Sequence, residues 1–89
     1  MDHVRIVELL KKASRLSGIA ASEIHMGGST EAITFVRMVI AFVLREEGVR
    51  VEVIAEAFQK STKSVYTWLS AMKEPGPNAS DFLFALKKP

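Results

Sequence analysis

The sequence contains no cysteine, and that absence excludes two kinds of structure. Without thiols the chain can form neither a disulfide framework nor a zinc site with cysteine ligands. Histidine is also scarce, because His3 and His25 are the only two, and neither has a carboxylate or a second histidine three or four residues later. That spacing is what places two metal ligands on one face of a helix. We therefore predict no metal site and no cofactor.

Long apolar runs are absent as well. The longest, residues 38–44, is far shorter than the roughly 20 residues that a membrane-spanning helix needs, and Arg37 and Arg45 flank it. The first residues lack the basic segment and apolar run of a secretory signal. The cysteine-free composition fits a reducing compartment. We therefore predict no membrane segment and expect a cytoplasmic protein.

The chemical groups of an enzyme are not recognisable either. Nucleophilic catalysis needs a nucleophile, a base and an orienting group, but His25 forms no known motif with Ser22 or Ser29. The Gly-Gly-Ser-Thr segment at 27–30 lacks the lysine of a nucleotide-binding loop, and its glycines instead permit close backbone approach. We predict no enzymatic activity.

The 89 residues, 48% of them hydrophobic, suffice for one domain with a single modest core. Asp2 is predicted to cap a first helix that runs to about Ser17. The apolar face of that helix is predicted to comprise Val4, Val7, Leu10 and Leu16. A helical turn at 22–24 and a long central helix at about 31–47, capped by Ser29 or Thr30, follow. We therefore predict an all-α bundle of about five helices.

Residues 53–69, VIAEAFQKSTKSVYTWL, form the most informative segment of the chain. Ile54 and Phe58 have the spacing of one helix, Val65 and Trp68 have that of a second, and residues 59–61 make a polar break between them. Ala55 lies ten positions before Val65, and two helices that meet at a steep angle need such a small residue at their contact. The pattern predicts a helix-turn-helix at about 51–73, whose second helix enters the DNA major groove. The same spacing places Trp68 in the core.

The distribution of charge agrees with DNA binding, although the formal net charge of +2 is too small to indicate it alone. Four glutamates lie between residues 46 and 56, whereas no acidic residue occurs from 57 to 72. Lys60 and Lys63 lie in this acid-free half and are predicted to contact DNA phosphates, although Lys63 could instead reach a base edge. Ser61 or Thr62 is predicted to cap the second helix. The predicted contacts to base edges are Thr62, Lys63, Ser64 and Thr67. An ordinary helical hairpin with solvated polar residues is the alternative.

Pro75 and Pro77 end this region, so we divide the chain into a helical DNA-binding domain at 1–77 and a short helical tail at 78–89. Asn78 or Ser80 is predicted to cap the tail helix. Its apolar residues are Phe82, Leu83, Phe84 and Leu86. They can fold back on the core or dock a second copy or another protein. The second possibility makes a protein-interaction module the alternative function.

From about residue 7 to residue 72 the chain resembles the C-terminal DNA-binding domain of the bacterial replication initiator DnaA, a helical module grouped with the Trp repressor. The matching segments are SEI at 22–24, TFVRMVIAFVLRE at 34–46 and VIAEAFQKSTKSV at 53–65. The resemblance implies a free-standing module that binds double-stranded DNA, as in a small regulator or a phage or mobile-element protein. The initiator's nucleotide-hydrolysing domain has no counterpart here.

The resemblance also implies roles for particular residues. Two basic residues on the long helix of that family reach DNA phosphates, and Arg37 and Arg45 match them. The family's recognition-helix signature Arg-Asp-His-Thr-Thr corresponds to residues 60–64, which keep a charge and hydroxyls but lack the aspartate and the histidine. Gly27 and Gly28 replace the arginines of the family's minor-groove loop. The complete predicted DNA-binding set is Arg37, Arg45, Lys60, Ser61, Thr62, Lys63, Ser64 and Thr67.

Overall fold

The computed structural model describes residues 2–88, with side chains from residue 3 onward. Within that range the chain forms six helices and no strand. They are α1 (Asp2–Ser17), α2 (Ala21–Met26), α3 (Glu31–Glu46), α4 (Val51–Phe58), α5 (Thr62–Ala71) and α6 (Pro77–Lys87). The all-α prediction is confirmed. The structure has one helix more than the five predicted, because the turn predicted at 22–24 is part of the short helix α2. No helix in this range is both long and apolar enough to cross a membrane.

Helix α3 lies at the centre of the fold and contacts all five other helices. Eight of its sixteen residues are buried, including Val39, Ile40 and Leu44, which are fully enclosed. A helix whose apolar residues occupy most of its circumference must be covered on several sides. The prediction of a central helix is therefore confirmed, and the other helices are positioned by their contacts with α3.

Helix α1 buries a face that coincides only in part with the predicted one. Val4 is 57% exposed and Leu16 is 45% exposed, although both were predicted to face the core. Leu10 is buried as predicted, and the other buried residues of α1 are Ile6, Leu9 and Ala13. Both sets have helical spacing, so periodicity alone does not choose between them, whereas the small Ala13 allows the close approach that packing requires. The predicted cap at Asp2 lies outside the described side chains.

Side-chain caps begin two of the helices as predicted. The Thr30 hydroxyl oxygen accepts a hydrogen bond from the backbone nitrogen of Ile33 at 3.2 Å and caps α3. The Ser61 hydroxyl oxygen accepts one from the backbone nitrogen of Ser64 at 3.2 Å and caps α5. Each bond satisfies a backbone donor that has no partner within the first helical turn.

Helix α6 begins without a side-chain cap, so the predicted caps at Asn78 and Ser80 are wrong. Its first residue is Pro77, and Gly76 occupies the capping position. Proline is favourable at the start of a helix because its φ angle is already helical and its missing N–H would be unpaired there in any case. The proline thus begins the helix, where we predicted only that it ended the preceding one.

The C-terminal tail folds back on the core of its own chain. Helix α6 packs against α1 and α3, with Leu86 only 1% exposed. The Phe82 ring meets the Phe35 ring edge to face, with centroids 5.8 Å apart. Leu83 is half-buried, and Phe84 is 68% exposed. Of the four apolar residues considered for docking a partner, only Phe84 is therefore exposed.

Candidate nucleic-acid interface

The turn between α4 and α5 closes α4 through backbone hydrogen bonds. Gln59 adopts the left-handed conformation, with φ 52° and ψ 46°. Its N–H donates to the Glu56 carbonyl oxygen at 3.1 Å, and the N–H of Lys60 donates to the Ala55 carbonyl oxygen at 2.9 Å. This pair of bonds is the Schellman pattern that ends many helices. The polar break predicted at 59–61 is therefore a defined turn that sets the direction in which α5 leaves.

Helix α5 is anchored to α3 and α4 by its inner face. Val65 is fully buried and Trp68 is only 8% exposed, which confirms its predicted place in the core. The Trp68 ring packs edge to face on Phe58, with centroids 5.9 Å apart. Ala55, 4% exposed, is buried in the same core cluster as Val65. These contacts leave the opposite side of α5 in solvent.

The exposed side of α5 contains polar residues and one aromatic residue. We call it the α5 outer face, and it consists of Thr62, Lys63, Tyr66, Thr67 and Ser70, all of which are exposed. None of them is acidic. Tyr66, 57% exposed, is not among the residues predicted to contact DNA. Its position four residues after Thr62 and three after Lys63 was the signal that could have found it, because such residues share a helix face.

Several hydroxyl groups that were predicted to contact DNA already take part in hydrogen bonds within α5. The Ser61 and Ser64 hydroxyl oxygens lie 3.2 Å apart, and Ser61 also accepts from the backbone of Ser64. The Thr67 hydroxyl donates to the backbone carbonyl oxygen of Lys63 at 3.0 Å. By contrast, the side chains of Thr62, Lys63 and Tyr66 make no hydrogen bond or ion pair with any described residue. Those side chains are therefore available for a ligand.

The predicted phosphate contacts Lys60 and Arg45 lie in different places. The Lys60 ammonium donates to the Ser29 hydroxyl at 3.1 Å, so it links the turn before α5 to the loop before α3. Arg45 is exposed in the last turn of α3, and its Nη1 lies 3.4 Å from the Val49 carbonyl oxygen. At about 1.5 Å per residue, it lies roughly 21 Å along α3 from Glu31. The two cations therefore lie near opposite ends of α3.

Arg37 is a buried structural residue, so its predicted phosphate contact is wrong. Only 1% of the residue is exposed. Its Nε donates to the Ile24 carbonyl oxygen at 2.7 Å, and its Nη2 donates to those of Gly27 at 2.9 Å and Glu23 at 3.3 Å. These carbonyls lie at the C-terminal end of α2, where a helix attracts positive charge. Burial lowers the pKa of the Arg37 guanidinium, which nevertheless stays charged.

Gly27 allows α2 to approach the following loop closely. A Cβ at this position would lie 2.6 Å from the Glu23 carbonyl oxygen, which is closer than real Cβ contacts. At Gly28, by contrast, an added Cβ would meet nothing within 4 Å. The prediction that these glycines permit close backbone approach is therefore confirmed for Gly27 and wrong for Gly28. Through Arg37 and Ser29 the loop is fixed both to α3 and to the turn before α5.

A groove of about 310 Å³ between α1, α2 and α4 contains both histidines together with Glu56. Histidine and carboxylate side chains are the ligand types that a transition metal would use. However, no group of three or more such side chains in residues 2–88 is arranged to hold a metal ion.

No family model, no curated protein and no solved structure matches this chain. The resemblance to the replication-initiator domain therefore stays a prediction.

Proposed function

We propose that the protein binds double-stranded DNA through a helix-turn-helix formed by α4, the turn and α5. In such a unit the second helix lies in the major groove and the first supports it. The observation that carries the proposal is the α5 outer face, which presents the unpaired side chains of Thr62 and Lys63 on a helix whose opposite face is fixed in the core. The binding would be sequence-specific and independent of nucleotide hydrolysis.

The placement of acidic residues supports this surface. Glu47, directly after α3, accepts three hydrogen bonds from Arg5 at 2.7, 2.8 and 3.1 Å, and Glu46 pairs with Lys87 at 2.9 Å. Each glutamate is therefore partly neutralised by a cation from α1 or α6. No acidic residue lies between 57 and 72 to oppose a polyanion at α5.

The start of α5 also supports contact with a phosphate. The first backbone N–H groups of a helix have no partner within it, and the helix dipole makes that end attractive to anions. Lys60 lies immediately before this helix end and has no carboxylate partner among the described residues. We assign phosphate contacts to Lys60 and Arg45, with Thr62 and Lys63 directed to the base edges.

The first test is a fluorescence-anisotropy titration of a labelled mixed-sequence duplex at two salt concentrations. Neutralising each phosphate releases counterions, so the logarithm of the affinity should fall by about one per phosphate for each tenfold rise in salt. A steep fall would support phosphate contact. Absence of binding at the lower salt concentration would overturn the proposal.

The second candidate function is docking of a protein partner through α6. Phe84, 68% exposed, is the observation that favours it. The exposed apolar surface is small, because Leu86 is buried and Phe82 and Leu83 are half-buried. Apolar docking depends little on salt, so the same titration, repeated with a candidate protein partner, separates the two functions.

Under the DNA-binding proposal, the protein would act on DNA in the cytoplasm, as a regulator or as a phage or mobile-element protein.

A further inference from the structure

Tyr66 is an exposed aromatic residue that the fold does not require. It lies in the second turn of α5 and is 57% exposed, whereas Val65 and Trp68 on the other side of the same helix are buried. Neither its ring nor its hydroxyl is engaged by another described residue through an aromatic contact or a hydrogen bond. The side chain is therefore free to contact whatever approaches α5.

Hydrogen bonds at the start of α5 and within it occupy several hydroxyl groups, so the free Tyr66 hydroxyl is one of the few left for a ligand. Ser64 interacts with the helix cap at Ser61, and the Thr67 proton is directed to the Lys63 carbonyl oxygen. Two of the four residues predicted to reach base edges thus use their hydroxyl groups inside the protein. The Tyr66 hydroxyl is a donor and acceptor that remains unengaged on the same face.

We propose that Tyr66 reads base edges in the major groove and gives the protein a preference for thymine at one position of its binding site. This inference rests on the proposed DNA-binding function. The ring supplies a rigid apolar surface with only two rotatable side-chain torsions. The thymine C5 methyl group is the apolar feature that the major groove offers to such a surface. The hydroxyl, at the far end of the ring, donates to a hydrogen-bond acceptor on a neighbouring base.

The experiment begins with a duplex that wild-type protein enriches from a randomised library. Each thymine of that duplex is then replaced in turn by deoxyuridine, which removes only the methyl group. Affinities are measured by anisotropy for wild type, Tyr66→Ala and Tyr66→Phe. Phe84→Ala is the matched control, because it removes an exposed aromatic side chain from α6. Circular dichroism checks that every variant is folded.

We expect deoxyuridine to weaken wild-type binding several-fold at one position, and Tyr66→Ala to lose about tenfold or more in affinity for the enriched duplex. Tyr66→Ala should also become insensitive to deoxyuridine at that position while its affinity for mixed-sequence DNA changes less than about twofold. Tyr66→Phe should keep the sensitivity to the methyl group, and Phe84→Ala should behave as wild type.

The inference is overturned if folded Tyr66→Ala prefers the enriched duplex over mixed-sequence DNA as strongly as wild type does. It is also overturned if wild type binds DNA in a salt-sensitive way but enriches no sequence. In both cases phosphate binding would survive. Absence of salt-sensitive DNA binding by wild type would instead overturn the proposed function together with this inference.

Discussion

Arg37 donates a hydrogen bond from its Nη2 to the carbonyl oxygen of Gly27 at 2.9 Å, so a buried guanidinium of α3 holds the C-terminal end of α2. Two residues further along the same loop, the Ser29 hydroxyl accepts a hydrogen bond from Lys60. The loop therefore connects the central helix with the turn that precedes α5. A change at Arg37 that moves this loop would therefore also move the partner of Lys60 at the start of α5.

Replacing Arg37 by alanine should destabilise the fold by about 2–4 kcal/mol, because buried carbonyl oxygens of α2 would lose their donors and a cavity would remain. Chemical denaturation followed by circular dichroism measures the change. Arg37→Lys should restore little, since one ammonium cannot reproduce the fork of donors. The control is Arg50→Ala, which removes an exposed arginine and should cost less than about 0.5 kcal/mol. Equal stability of the Arg37 and Arg50 variants would contradict the assigned structural role.

Gly27→Ala should destabilise the protein by about 1–3 kcal/mol, because its Cβ would overlap the backbone oxygen of Glu23. Gly28→Ala is the matched control. Its Cβ enters open space, so the substitution should be neutral or stabilise by up to about 1 kcal/mol through lower entropy of the unfolded chain. Thermal melting of both variants checks the difference. An equally mild effect at the two positions would show that α2 does not approach the loop as described.

The Arg5–Glu47 pair should make stability depend on pH in the acidic range. Hydrogen bonding from Arg5 lowers the pKa of Glu47 below its ordinary value of 4.5. The unfolded chain then binds the proton more readily, so the pair's contribution is present above about pH 4.5 and is lost as pH falls through the folded pKa. The effect should be small, because both side chains are more than a third exposed.

The Glu47 carboxyl titration, followed by NMR, is the direct measurement of this prediction. Arg5→Gln should move the pKa of Glu47 back toward its ordinary value, because the donor that favours the carboxylate is weakened. The variant Glu47→Gln should lose the corresponding part of the pH dependence of unfolding. If the Glu47 titration is the same with and without Arg5, the ion pair does not form in solution.

Lys63→Glu should weaken binding to duplex DNA without unfolding the domain, because Lys63 is exposed on the α5 outer face. Lys63 can contact a phosphate or a base edge. If it contacts a phosphate, its loss should reduce the slope of log affinity against log salt concentration by about one. Lys11→Glu on α1 is the matched control, since it changes net charge by the same amount at an exposed lysine. An equal loss of affinity in both variants would point to net charge rather than to a contact at α5.

Leu86→Ala should destabilise the fold by about 2–5 kcal/mol, because Leu86 is 1% exposed in the core shared by α6 and the central helix. Phe84→Ala, two residues earlier, removes an exposed ring and should change stability by less than about 0.5 kcal/mol. Denaturant titrations of the two variants measure this contrast. A stable Leu86 variant would indicate that the tail does not pack on its own chain.

The bounds of several helices could be predicted from the sequence because they depend on neighbouring residues. The start and end of α4 and the start of α5 agree with the prediction, since a cap such as Ser61 acts on backbone groups only three residues away. The start of α6 was misjudged because Pro77 can end one helix or begin the next, and both uses are local rules.

The all-α class, the central position of α3 and the burial of Trp68 could be predicted without the fold, because each follows from apolar spacing within a few helical turns. Three features became visible only in the folded chain: Arg37 faces inward, α1 buries Leu9 rather than Val4, and Tyr66 belongs to the α5 outer face. These outcomes depend on how helices far apart in sequence rotate to fill one core, and that rotation is set by packing rather than by periodicity.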